Sequence, residues 1–286
     1  MLLSIIIVSW KSKEVLKINL RSLSAALESL DAEVFVVDNA SKDGTVEMIK
    51  KHFSWVKLIA NKENIGFARA NNLALSQSKG RYLLLLNPDM KLRPNTLTAW
   101  LDWLEANPQA AISGPRLVNE YGGLIHHVRR FPTILDQTAI ALKLPHLSPH
   151  ILDSYLARDF DYSKSARVDS IRGACFMIRR FAYEKLGGLD ERFFVWFEEV
   201  DYCQRAKAIG LQVWYTPVAV AIDYVGQSFK LISRGRAQSY FRQSMLKYFI
   251  KWHSPIEVIL LRLAWFIGRI ITSLAIILKL ESKTKT

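Results

Sequence analysis

Along the first third of the chain, apolar positions alternate between two rhythms. Leu3 to Ser9 is a continuous, largely β-branched run, the pattern of a strand covered on both faces. From Glu14 to Leu30 the apolar residues Leu16, Leu20, Leu23, Leu27 and Leu30 recur at helical spacing. Glu33 to Val37 predicts a second strand, Thr45 to His52 a short helix and Val56 to Ile59 a third strand. Gly66 to Ser76 predicts a helix, and Arg81 to Leu86 a fourth buried strand. Strand and helix in this rhythm mean crossover units and an α/β fold with a mostly parallel sheet.

After Asp89 the pattern loosens. Asn95 to Ala106 predicts a helix carrying Trp100, Trp103 and Leu104, and the His-, Pro- and aromatic-rich stretch from Pro115 to Asp169 predicts long loops. Val168 to Arg179 reads as a strand around Gly173, Arg180 to Leu186 and Glu198 to Ile209 as helices, and Val213 to Ile222 as a strand. Phe241, Met245, Tyr248, Phe249 and Trp252 form one helical stripe, with Arg242, Lys247 and Lys251 off it, which predicts a helix packed on the preceding domain.

Ile256 to Leu280 is apolar nearly all round. About 25 residues of helix reach about 37 Å, enough to span a bilayer. Arg262 and Arg269, seven residues apart, share one face with Ser273 close to it. Each arginine at mid-membrane costs about 2.5–3.5 kcal/mol. A helix lying in the interface avoids that cost, with Trp265 near the boundary and Lys279, Lys283 and Lys285 attracted to anionic lipid. In-plane binding is therefore the expectation. One C-terminal span and a homo-oligomer interface are its alternatives.

The 286 residues, half of them hydrophobic, can bury a sizeable core, and a single α/β domain with an appendage is the simplest organisation. The net charge is +13, of which +9 falls between Lys230 and Thr286. A nucleic-acid binder would spread its charge differently, and a basic, apolar tail points to anionic lipid. Cys175 and Cys203 stand alone, without zinc spacing, as core residues of a reduced cytosolic protein. Leu2 to Trp10 lacks the basic start of a signal peptide and is followed by Lys11 and Lys13.

Neither Gly-x-x-x-x-Gly-Lys nor Gly-x-Gly-x-x-Gly is present, which argues against a P-loop enzyme and a dinucleotide dehydrogenase. In parallel sheets ligands bind beyond the carboxyl ends of the strands. Ser9, Asp38, Asn61 to Asn64 and Asp89 follow the first four strands, so their loops converge on one rim suited to a nucleotide. Asp38 can accept a hydrogen bond from a base or ribose, or can close a turn with Asn39, Ser41, Asp43 and Gly44. Asp89, after Asn87-Pro88, is either a turn residue or a metal ligand for a pyrophosphate. Glu198 and Glu199, beside the aromatic run Phe193 to Phe197, are candidates for raised pKa values and general-base work. Asp201 is assigned to a structural pair with Arg205. His52, His126, His127 and His253 are assigned surface or capping roles.

Several blocks occur in a fixed order. They are Ser4-Ile5-Ile6-Ile7-Val8-Ser9, Val36-Val37-Asp38-Asn39-Ala40-Ser41-Lys42-Asp43-Gly44-Thr45, and Asn64-Ile65-Gly66-Phe67-Ala68-Arg69-Ala70-Asn71-Asn72. Leu85-Leu86-Asn87-Pro88-Asp89, Arg172-Gly173-Ala174 and Gly187-Gly188-Leu189-Asp190-Glu191-Arg192-Phe193-Phe194 follow. Glu198-Glu199-Val200-Asp201-Tyr202-Cys203-Gln204-Arg205 comes last. Over residues 3 to 228 the chain resembles the family 2 glycosyltransferases, in particular their rhamnosyltransferase-like branch.

The resemblance implies a GT-A fold and an inverting mechanism. Asp38 would contact the base, and Asn64 and Arg69 would line the nucleotide pocket together with Ser9, Asn39 and Asn87. Asp89 would hold a divalent Mg²⁺ or Mn²⁺, Glu199 would be the general base beside Glu198, and Gly173 and Trp196 would face the acceptor. Three positions depart from the family pattern. Asn87 stands first in its Asp-x-Asp motif, Glu199 replaces the usual Asp, and Asp223 replaces a histidine that helps the metal.

The expected division is a catalytic domain over 1–230, with a nucleotide-binding half at 1–95 and an acceptor half at 96–230, and a helical membrane-associating tail over 231–286. The expected activity moves a sugar, such as rhamnose, from a dTDP- or UDP-sugar donor to a glycan or lipid-linked acceptor, at the cytoplasmic face of the cell membrane and without nucleic acid. The alternative is a GT-A domain that has lost catalysis and only binds.

Overall fold

A computed structural model describes the backbone of residues 1–224 and 232–283, and their side chains except at 234 and 274–283. Val225-Gly226-Gln227-Ser228, Lys230 and the side chains of Lys279, Lys283 and Lys285 lie outside what is described.

The first half alternates as its pattern predicts: β1 (Leu3–Ser9), α1 (Lys13–Ala26), β2 (Ala32–Asp38), α2 (Thr45–His52), β3 (Val56–Ala60), α3 (Phe67–Leu75) and β4 (Tyr82–Leu86). Every residue of β1 and β4 is buried, because helices cover both faces of the sheet. One apolar layer packs Leu16, Leu20 and Leu23 of α1 under Ile5 and Ile7, and the other packs Ala68, Ala70 and Ala74 of α3 on Ile6 and Phe35.

The second half continues with β5 (Met90–Leu92), α4 (Thr96–Ala106), β6 (Ala110–Val118), β7 (Val128–Arg129), α5 (Ile134–Ala141), β8 (Ala166–Val168), β9 (Ser170–Ile171) and β10 (Cys175–Arg179). Then come α6 (Arg180–Leu186), α7 (Glu198–Ala208), β11 (Gln212–Asp223), α8 (Arg234–Trp252) and α9 (Pro255–Lys283). Among the described residues the main sheet runs β3-β2-β1-β4-β10-β6-β11-β5, with β8 beside β11. Pairs from β3 to β4 and the β6–β11 pair are parallel, and β10 is antiparallel to both its neighbours. The sheet is thus mixed and mostly parallel, as expected, and the ends of β1, β2, β4 and β11 share one rim.

Two expectations are corrected. The stretch read as loops from Pro115 contains the end of β6, a buried central strand, and α5, which carries a capping box between Thr133 and Asp136. The strand expected over Val168 to Arg179 is three short strands, broken at Asp169 and at Arg172-Gly173-Ala174. The break lets the chain cross the rim before β10 begins. Cys175 and Cys203 are buried free thiols, as expected.

The stripe on α8 does pack on the domain. Met245, Tyr248 and Phe249 share a core with Phe193 and Phe197, joined by Val258 and Leu261 of α9. Farther along, Gly268 brings α9 onto the end of α5, where a side chain would meet the carbonyl of Ala141. Among the described residues no helix is long and apolar enough to cross a membrane.

Candidate active site

The rim is built from strand ends locked by side-chain amides and hydroxyls. Ser9 and Asp38 are register partners of β1 and β2, and Ser9 Oγ lies 2.8 Å from Ser12 Oγ. Asp38 is buried and takes the turn-closing role its sequence allowed. Its Oδ2 accepts from the Ser41 amide at 2.9 Å, closing the turn, while its Oδ1 is buried without a hydrogen-bond partner. Asn39 donates to the Gly66 carbonyl at 3.1 Å and accepts from Asn61 at 2.9 Å. Asn64 Oδ1 accepts from the Gly66 amide at 3.0 Å. Gly66 has φ +89°, and a Cβ there would lie 2.7 Å from the Phe194 carbonyl oxygen, so this position requires glycine.

Above these residues opens a cleft of about 180 Å³. It gathers Asn39, Asn64, Asn87, Gly173, Trp196, Glu198 and Glu199 from separate parts of the chain, with Trp10, Arg172 and Tyr240 added. Ser9, Asp38 and Asp89 lie behind this lining, buried. Arg69 is elsewhere. Its Nε lies 3.2 Å from Glu191 Oε2, with more than half of its side chain exposed outside the cleft.

The glutamate pair is presented by a strained turn. Trp196 and Phe197 have φ of +66° and +68°, two consecutive left-handed residues without the excuse of glycine. They reverse the aromatic run so that Glu198 and Glu199 enter the first turn of α7 facing the cleft. The Oε2 atoms of both are buried without a partner. Burial pushes the Glu198 carboxyl well above its ordinary value, and the neighbouring Glu199 pushes it further. Burial also raises Glu199, against its backbone hydrogen bonds and the positive charge of Arg172. The first carboxyl is therefore pushed toward its neutral form by more causes than the second, whose rise Arg172 opposes. Gly173 makes room for it: a Cβ there would lie 3.2 Å from Glu199 Cβ.

Asp201 is structural, as its spacing to Arg205 predicts. Its Oδ2 bonds Arg205 Nε at 3.0 Å, and its Oδ1 receives Lys251 Nζ at 2.7 Å and Trp252 Nε1 at 2.8 Å from α8.

Asp89 and Asp223 come together across β5 and β11, where Asp223 pairs with Met90 and the Tyr224 amide donates to the Asp89 carbonyl at 3.1 Å. Among the described residues no cluster of three or more His, Cys, Asp or Glu forms a metal cage. A divalent cation such as Mg²⁺ or Mn²⁺ would draw on these two carboxylates and take its other ligands from water and substrate phosphates.

Sequence reasoning overlooked two side chains. Arg172, quoted there only within a motif, donates from Nη1 to Asp223 Oδ2 at 2.6 Å and lines the cleft. An acid in a position that usually holds histidine is the signal that could have suggested such a partner. His127, assigned to the surface or a cap, is only 2 % exposed. The Tyr162 hydroxyl accepts from the amides of His127 and Val128, both at 2.8 Å, and draws this loop inside. Burial pushes the imidazole pKa down to about 3, so the ring is neutral.

Residues 4–187 match the family model described as glycosyl transferase family 2. The N-acetylglucosaminyl-diphospho-decaprenol L-rhamnosyltransferase of Mycobacterium tuberculosis is 26% identical over 220 residues, 73% of this chain and 71% of that protein. Rhamnosyltransferase WbbL of Escherichia coli is 27% identical over 77% of this chain and 82% of its own. Among solved structures, the mannosyltransferase PcManGT from Pyrobaculum calidifontis in complex with GDP-Man and Mn²⁺ superposes with a TM-score of 0.60 at 18% identity, over 93% of this chain and 69% of that one. S. aureus TarS 1-349 in complex with UDP-GlcNAc gives 0.56 at 16% identity, over 87% and 67%. These structures carry the GT-A fold.

Proposed function

We propose, from the premise that this chain belongs to glycosyl transferase family 2, that it is an inverting enzyme which moves rhamnose or a related hexose from a dTDP- or UDP-sugar onto a lipid-linked glycan acceptor in polysaccharide synthesis. The observation that carries the reading is the partnerless Glu199 Oε2 at a cleft bordered by Asn39, Asn64 and Asn87. The rhamnosyltransferase relatives support the choice of sugar and acceptor class.

In this mechanism an acceptor hydroxyl gives its proton to Glu199 as its oxygen attacks the anomeric carbon. The bond from that carbon to the diphosphate oxygen breaks, and its electrons leave with the nucleoside diphosphate. No covalent enzyme intermediate forms. Asp38 Oδ1 accepts from the base, and Ser9, Asn39, Asn64 and Asn87 shape the nucleotide pocket. Gly173 and Trp196 border the acceptor. A divalent cation, when held by Asp89 and Asp223 with the donor phosphates, would neutralise charge on the leaving group.

The residues over 1–230 act in this proposal as the catalytic unit, and 231–286 bring it to the cytoplasmic face of an anionic membrane. Ile256, Ile259, Leu263, Phe266, Ile267 and Ile270 form an exposed apolar face on α9, between 46 and 70 % exposed. Arg262 and Arg269, also exposed, flank it. An apolar face edged by arginines suits in-plane binding at anionic headgroups.

The test supplies dTDP-rhamnose and a GlcNAc-diphospho-lipid with Mn²⁺ and reads the anomeric configuration of the product by NMR. Transfer with inversion is expected. Nucleotide binding without transfer to any glycan or lipid-linked acceptor, and without donor hydrolysis, would make the chain a binding domain instead.

A further inference from the structure

Behind Glu199 lies a second cavity of about 170 Å³. Its walls include His127, Arg129, Tyr155, Arg172 and Glu199, together with Trp196 and Phe241, whose rings pack edge to face with centroids 6.0 Å apart. The Arg129 side chain is half-buried, and its Nη1 donates to the Val128 carbonyl at 2.7 Å. Among the described residues it has no carboxylate partner. Burial holds its pKa down, and the charge of Arg172 adds to the effect. The buried, neutral His127 ring has the Pro115 backbone as a hydrogen-bonding neighbour, which leaves its other nitrogen for a ligand. A half-buried cation without a carboxylate partner carries a desolvation cost, which an anion in the cavity would offset.

The far end of the cavity leads to apolar surface. Trp196 and Phe241 also line a neighbouring cavity of about 250 Å³, whose opposite wall holds Trp265 of α9. The exposed isoleucine and leucine face of α9 lies on the other side of that helix. One line of groups therefore runs from a carboxylate, past two guanidinium groups, to an aromatic wall shared with the next cavity, beyond which lies an apolar helix. This order matches an amphiphile with a sugar hydroxyl at one end, phosphates in the middle and hydrocarbon at the other.

We propose that Arg129, with His127 and Arg172, forms a subsite for the phosphate groups of a lipid-diphosphate acceptor whose hydrocarbon lies against Trp196 and Phe241 toward α9. The subsite rests on the lipid-linked reading of the acceptor. Its cavity is distinct from the asparagine-lined cleft, with Glu199 on the border of both. Arg172 borders both cavities and stands at the partition.

The experiment fills the donor site first, with saturating UDP or dTDP and Mn²⁺, and then measures by calorimetry the binding of farnesyl diphosphate, farnesol and inorganic pyrophosphate to the full chain. Farnesyl diphosphate is expected to bind at least about tenfold more tightly than either other probe. Arg129→Met is expected to weaken it about tenfold or more, and Arg129→Lys to keep most of it. Nucleoside diphosphate affinity should be the same in all three proteins. If Arg129→Met loses nucleotide binding as well, Arg129→Gln, which keeps a donor for the Val128 carbonyl, takes its place in the comparison. Equal affinity for farnesol and farnesyl diphosphate, or for pyrophosphate and farnesyl diphosphate, overturns the proposal. So does an Arg129 variant with wild-type affinity for farnesyl diphosphate. Absence of nucleoside diphosphate binding in the wild type would instead count against the transferase reading itself.

Discussion

Arg172 Nη1 donates to Asp223 Oδ2 at 2.6 Å, where the approach to β10 meets the end of β11. A guanidinium therefore already rests on one of the two carboxylates that would serve a cation. The same group lowers the pKa of Glu199 from the other side. Arg172 thereby links the charge of Asp223 to the protonation of Glu199.

Replacing Arg172 should move the pH profile in one direction. Burial raises the Glu199 carboxyl, and the arginine charge opposes that rise. In Arg172→Met the opposing charge is gone, so the carboxyl holds its proton to higher pH. Activity needs the carboxylate, so the acidic limb of kcat/KM should shift to higher pH, while Arg172→Lys should leave it near its wild-type position. A limb that does not move in Arg172→Met would mean that this charge does not reach the base.

Glu199→Gln keeps the side-chain shape and removes basicity. Its kcat should fall by about 10²–10⁴-fold, with nucleoside diphosphate binding retained. Glu198→Gln resembles the neutral form that burial already favours and should cost far less. The opposite ranking in steady-state kinetics would exchange the two roles.

Asp89→Ala should remove the gain in UDP or dTDP affinity that Mn²⁺ brings, because Asp223 alone remains and is held by Arg172. Titrations with Mn²⁺ and with EDTA should then coincide. A persisting Mn²⁺ effect of wild-type size would place the cation elsewhere.

The half of the fold that was legible in the sequence is the half with clean periodicity. Leu3 to Ser9 and Arg81 to Leu86 are long apolar runs between turn residues, and the helices between them carry regular stripes. The strand β6 was hidden because its residues, Ala-Ala-Ile-Ser-Gly-Pro-Arg-Leu-Val, include a glycine and a proline in a buried central position. The proline is tolerated beside an irregularity in the pairing with β11, between Thr216 and Val220, where the regular ladder lapses. The capping box of α5, Thr133 with Asp136, is masked in the sequence by the short, weakly amphipathic helix that follows it. At the site, residues next to strand ends were legible because topology alone sends them to the rim. Arg129 and His127 were not, because the loop is drawn in by Tyr162, far along the chain, which anchors the amides of His127 and Val128.

Membrane attachment can be tested on the intact chain. Leu263→Glu with Phe266→Glu places two charges on the exposed face of α9 and leaves the buried Leu261 and Ala264 in place. The double variant should float with anionic vesicles far less than the wild type, with an unchanged sedimentation coefficient. Equal flotation would remove the membrane assignment. A wild-type dimer that the double variant dissolves would make this face a contact between copies.

Lys251→Met should destabilise the protein by about 1–3 kcal/mol, the cost of leaving a buried acceptor partly unsatisfied. Asp201 has no solvent exposure and keeps Arg205 and Trp252 as remaining partners. Urea unfolding would read the loss as a lower midpoint with an unchanged slope.

The bonds from Lys251 and Trp252 to Asp201 also decide how this enzyme can be engineered. Asp201 sits two residues after Glu199 on the same helix, and only His253 and Ser254 separate α8 from α9. The C-terminal helices are therefore not a detachable module. An exchange of tails with another enzyme would have to cut after Trp252 to spare the acidic helix. A graft that began at the start of α8 would import a foreign support for the catalytic residues along with the new address.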